Sequence, residues 1–487
     1  LVEFKCGTTS GENTTLSSED NDGKWITAHD TLRILVIFAK FPDDNNSTPS
    51  YWSPDGFPDL ANNSGPDAFV DGSASMESSH FKNLTNYFRQ MSNGKFTVLG
   101  DVVTTTAPKG AAEYNDRFEA NKDILKSVDY EVDFRQYDKW KNTGSFTNSP
   151  HPDGKVDMIA VIWRGFHENL LDADGEAGLA LNSDEVLELD GKTIGFNSKT
   201  GSGFTVQTRT DSRKTMFQTT VHELAHWLIG GSHPYDNEEG PKHRVWSMLQ
   251  GPGLRAQMAN SFERDLLGWI EVPEITGDMT DVTLGDFLTN TDPAKYSALK
   301  FHPANGNEDF GKEFFYIENH QQLSQYDDAT HNPNDMGIFV LHHFSELDDG
   351  YLDLPSEVEF HSIRHLSSDG DYIWNHVGST GSDYGLLPVF EKGESDALNG
   401  QNYGTKMKVN PDSSMRLFAF KNEQGDILTG GNDQGAPFVG SFNPTQEPTF
   451  SDLTNPRADT WENNEETGFA FEVKEQVGND LVVDFFT

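Results

Sequence analysis

Thr220-Val221-His222-Glu223-Leu224-Ala225-His226-Trp227-Leu228-Ile229-Gly230-Gly231-Ser232-His233 carries a His-Glu-x-x-His motif, a glycine pair and a third histidine. Positions four apart on a helix share a face, so His222 and His226 can grip one metal ion. Glu223 adjoins the first ligand and can reach a metal-bound water without binding the metal itself. Two imidazoles from one helix, a carboxylate base and a third ligand from elsewhere make the zinc-peptidase arrangement. The bland alternative is a core helix whose histidines are ordinary hydrogen-bonded residues. Residues 212–221 contain no glycine or proline, which predicts a helix with Asp211 or Ser212 as N-cap. Gly230-Gly231 stops that helix, since glycine takes the left-handed cap conformation freely. The chain can then turn His233 back toward the same metal.

His233 is the expected third ligand. The spacing is one residue longer than in His-Glu-x-x-His-x-x-Gly-x-x-His, which puts a histidine where this chain has Ser232 and a glycine where it has Ile229. Glu263, on the next predicted helix, is the rival; Asp236 and His243 are weaker candidates. Met248, in the apolar turn Trp246–Gly251, is expected to form a methionine turn under the zinc. Tyr235 is a candidate hydrogen-bond donor to the oxyanion. Zinc with three protein ligands keeps a fourth position for water and lowers its pKa from about 15.7 toward about 7. Glu223 would take that proton and pass it to the leaving amine.

The chain has 487 residues, enough for two or three domains. A net charge of −42 argues against nucleic acid, which selects Lys and Arg patches, and against anionic membrane surfaces. It fits a soluble secreted protein, and acidic loops can hold calcium. The one cysteine, Cys6, allows no intrachain disulfide. An extracellular chain must then rely on packing and metal ions, which is more usual among bacterial secreted proteins. No apolar run approaches the roughly 18 residues a membrane span needs. Leu1 in place of an initiator methionine fits a processed or trimmed product.

Residues 1–30 are polar and rich in Gly, Ser, Thr and Asp, and are expected to form a flexible arm. Leu32–Phe41 is a near-continuous apolar run and predicts a strand buried on both faces. Ser78–Met91 and Asp116–Val128 predict helices. Phe96–Thr106 and Val156–Trp163 predict strands, and Gly195–Thr208 a hairpin. Another helix is expected from about Ala256 to Leu267. Beyond 272, short alternating runs at Phe314–Asn319, Gly337–His343, Met415–Phe420, Gly468–Val473 and Leu481–Phe486 predict an all-β region. The expected architecture is α+β: a mixed-sheet, zincin or metzincin-like catalytic domain over 31–272, then a sandwich-like β region over 273–487. Asp153-Gly154-Lys155-Val156-Asp157 makes Asp153 and Asp157 candidate calcium ligands. Asp172–Glu176 and Asp20–Gly23 are weaker versions of the same turn.

The chain resembles the secreted immune inhibitor A-like metallopeptidases. Leu35-Val36-Ile37-Phe38-Ala39-Lys40-Phe41-Pro42-Asp43 is similar to their first strand, and Asn86–Phe96 to the helix-turn-strand that follows it. Pro152–Asp157 is similar to their Asp-Gly-x-Val-Asp segment. His222–His226, Met248 and Leu267-Gly268-Trp269-Ile270 follow in the family order, and Tyr316–Gln321 with Gly337–His343 is similar to a β segment further on. The likeness runs from about residue 31 to 345. It implies secretion, zinc, bound calcium and endopeptidase activity on protein or peptide substrates. The departure is Gly230-Gly231-Ser232-His233-Pro234, where many members continue with glycine and acidic residues. Two other readings compete: an adhesive or glycan-binding protein with a vestigial zinc domain, and zinc-water attack on a non-peptide bond. The intact Glu223 argues against the first; a panel of ester and amide substrates separates the second.

Overall fold

The computed structural model describes residues 6–7, 25–62, 69–70, 83–141, 150–171, 173–180, 183–197, 200–230, 246–249, 258–304, 313–324, 326–327, 336–343, 363–366, 373–376, 383–386, 407–408, 415–416, 441–445, 448–452, 458 and 466–487. By its contacts the chain divides into two units. One holds 1–232, 251–257 and 263–270; the other holds 233–250, 258–262 and 271–487.

The first unit is built on a six-stranded sheet. Its strands are β1 (Cys6–Gly7), β2 (Asp30–Lys40), β3 (Phe96–Thr106), β4 (Met158–Arg164), β5 (Gly175–Glu176) and, after a separate hairpin of β6 (Val186–Leu189) and β7 (Lys192–Gly195), β8 (Ser202–Thr208). The order across the sheet is β1-β5-β8-β4-β2-β3. β3, β2, β4 and β8 run parallel, β5 is antiparallel to β8, and β1 is parallel to β5.

The apolar run of β2 has neighbours on both sides and helices on both faces, which is why no polar alternation survives in it. Leu35, Ile37 and Ala39 share a core with Ile159, Val161 and Trp163 of β4 and with Ala120, Ile124, Leu125 and Val128 of helix α2 (Arg117–Val128). Phe38, on the opposite face, meets Trp52 and Phe69 edge-on. Phe69 in turn meets Phe217 of helix α3 (Arg213–Ile229), as does Tyr87 of helix α1 (Leu84–Met91). Thus α2 covers one face of the sheet, and α1 and α3 cover the other.

The predicted helices start where side chains can cap them. Asp116 accepts the Glu119 amide at 2.9 Å, and Asn83 accepts the Asn86 amide at 2.8 Å. Residues 78–82 of the expected first helix lie outside the described residues. Of the expected helix over 256–267, Ser261–Leu266 is helical (α4).

Two expectations are corrected. Gly195–Thr208 is not a hairpin: β7 pairs with β6, and β8 joins the main sheet. The turn is Asp190-Gly191, with φ of 51° and 73°, a conformation that Asp-Gly accepts readily. The polar arm is also not free throughout, since Cys6 pairs with Gly175 and Gly7 with Glu176.

The second unit is β-rich. β10 (Ala298–Phe301), β11 (Phe314–His320), β12 (Gly337–His343) and β13 (Ile363–Leu366) form one four-stranded antiparallel sheet. A second has the order β18-β19-β20-β9, from Thr449–Phe450, Ala470–Val477, Asp480–Phe486 and Met279–Leu284. Two-stranded pairs link β14 (Ile373–His376) to β15 (Asp383–Leu386), and β16 (Met407–Lys408) to β17 (Met415–Arg416). Phe315, Ile317, Ile338 and Val340 of the first sheet share one core with Phe450, Phe471, Val483 and Phe485 of the second. The molecule is therefore a mixed α+β protein, mostly sheet with few helices, ending in a β region. Among the described residues, no helix is long and apolar enough to cross a membrane.

Buried polar groups in the second unit are clustered. His320 on β11 lies 2.8 Å from Glu318 and 3.0 Å from Asp327. Glu318 also accepts the Trp246 indole N–H and the Ser261 amide. Burial pulls the His320 pKa down, but the Asp327 and Glu318 carboxylates outweigh it and raise the value to about 10.

Candidate active site

Every residue of α3 from Met216 to Ile229 is buried, so the helix has no solvent face. Ser212, rather than Asp211, caps it by accepting the Thr215 amide at 3.1 Å. Thr219 and Thr220 return their hydroxyls to the carbonyls of Thr215 and Met216, at 2.9 Å each. Their polarity is thereby absorbed within the helix, and His222, Glu223 and His226 are left as its buried ionisable groups.

The two histidines meet. Their Nε2 atoms lie 3.1 Å apart, with the rings at 84° to one another. His226 Nδ1 is 2.8 Å from the Gly230 carbonyl. A carbonyl only accepts, so Nδ1 carries the proton and Nε2 presents its lone pair toward His222. Gly230, at φ 136°, also donates its amide to the His226 carbonyl at 2.9 Å. The residue that ends the helix thus fixes the tautomer of its last histidine.

This donor set fits zinc. Two imidazole nitrogens converge in a water-poor setting, 3.1 Å apart, within reach of one ion that takes nitrogen at about 2.0–2.1 Å. His233, Tyr235, Asp236 and His243 lie outside the described residues. Glu263 is buried on α4. Met248 is fully buried and counts with the second unit.

Glu223 lies against the edge of the sheet. A Cβ on Gly175 would overlap the Glu223 carboxylate, so any other residue at this position of β5 would push that side chain aside. β5 is anchored from several directions. Glu176 forms a buried ion pair with Arg117 of α2, whose Nε donates to the Leu179 carbonyl at 3.1 Å. Asp174 pairs with Arg209 at 2.8 Å and accepts the Gln207 amide on its carbonyl at 2.7 Å. Burial lowers the Arg117 pKa to about 9, and the nearby Glu223 charge is the main opposing influence. A cation therefore lies within electrostatic reach of the Glu223 carboxylate.

The stretch 172–176 was a candidate calcium turn on its sequence. Asp174 and Glu176 instead pair with arginines, and Gly175 makes room for Glu223. Sequence reading missed Arg117, Gly175 and Glu176 as parts of the site; the acid-glycine-acid cluster was the only local sign of them.

Asp153 and Asp157 are likewise engaged. Asp153 accepts the Lys155 amide at 2.9 Å, while Asp157 accepts the amides of Lys139 and Trp140, at 2.7 and 3.2 Å from Oδ2. Burial pushes the Asp157 pKa up to about 8 against those amides. Asp138 clasps the same loop, accepting the Asp153 and Gly154 amides at 3.0 Å each and pairing with Lys192. Compared with models of known protein families and with curated protein sequences, the chain matches none.

Proposed function

We propose that the chain is a secreted, zinc-dependent endopeptidase whose first unit is a zincin-like catalytic domain. The observation that carries this reading is the His222–His226 pair, with converging Nε2 atoms and His226 held in one tautomer by the Gly230 carbonyl. The largely parallel sheet, with its one antiparallel pairing of β5 on β8 beside the helix, supports the fold assignment. His222 and His226 hold the zinc, and His233 supplies the third ligand. Zinc, when bound, supplies Lewis acidity that makes hydroxide chemistry accessible near neutral pH. Glu223 accepts the proton of the attacking water and delivers it to the departing amine nitrogen. The β5 backbone fixes the position of that carboxylate, and Arg117 favours the anion.

Metal content and casein hydrolysis test this on the wild type, Glu223→Gln and His233→Ala. Zinc bound by the wild type and Glu223→Gln, with hydrolysis by the wild type alone and a loss of at least about 100-fold in the variant, is the expected result. His233→Ala should lose zinc. Hydrolysis undiminished in Glu223→Gln would overturn the mechanism. A wild type that binds no zinc after reconstitution would overturn the function.

A further inference from the structure

We draw no further inference here: the strongest candidate, the side-chain cluster of Asp44, Arg164 and His167 at the carboxyl ends of β2 and β4, where Asp44 Oδ2 has no hydrogen-bond partner among the described residues, carries none, because the other Asp44 oxygen is already paired with Arg164 at 2.7 Å and nothing in the structure shows what would bind beside it.

Discussion

A methyl group at position 175 would occupy the space of the Glu223 carboxylate, so Gly175→Ala separates catalysis from metal binding. On the peptidase reading the variant should keep its zinc, because the three atoms nearest the added Cβ all belong to Glu223. It should lose peptide hydrolysis by roughly 100-fold, the usual consequence of a catalytic group displaced by about 1 Å. Its stability should fall by about 1–3 kcal/mol from overpacking. Full activity in Gly175→Ala, measured alongside zinc content, would mean that Glu223 is not held by β5. At this scale the sequence was legible where chemistry is local. His222 and His226 share a face through helical spacing alone, and Gly230 ends their helix by its own conformational freedom. Arg117, Gly175 and Glu176 were not legible, because only the folded sheet brings Gly175 against Glu223 and pairs Glu176 with Arg117. Asp174 and Glu176 looked like cation ligands for a related reason: nothing local announces an arginine that arrives from another element.

Among the elements, β11 carries a pH response. His320 is protonated in the folded state up to about pH 10, against an ordinary value of 6.5. Between those limits the unfolded chain has released the proton and the folded chain has kept it. Stability should therefore be full below about pH 6.5 and fall as pH rises toward 10, by roughly 1 kcal/mol per pH unit. Urea unfolding at pH 6, 8 and 10, followed by tyrosine and tryptophan signals, measures the slope. His320→Asn should start lower, since it strands Glu318 and Asp327, but lose that slope. An equal slope in both proteins would assign the titration elsewhere. β2, β3, β4, β11 and β12 could be read from apolar runs, because burial on two faces or one leaves a period in the chain. β6 and β7 could not, although Asp190-Gly191 marks their turn; the apolar run of β8 drew β7 toward the wrong partner. β1 gave no signal at all, as two residues in a polar stretch carry no period.

For the whole molecule, a net charge of −42 means that acidic groups repel one another in the folded state more than in the expanded one. Raising NaCl from about 0.1 M to 1 M shortens the screening length from about 10 Å to about 3 Å. The thermal midpoint should rise by several degrees across that range, and KCl should do the same. A flat response would show that the acids are already spaced or paired well enough. The division of the chain has a consequence for how such a protein can be inherited. The path passes from one unit to the other at 232/233, 250/251, 257/258, 262/263 and 270/271. A fragment beginning at 273 would leave behind Trp246 and Ser261, two of the donors to the buried Glu318 carboxylate, and keep only His320. The β region is therefore not a cassette that recombination could append or remove at a single junction; duplication or exchange must carry both units together.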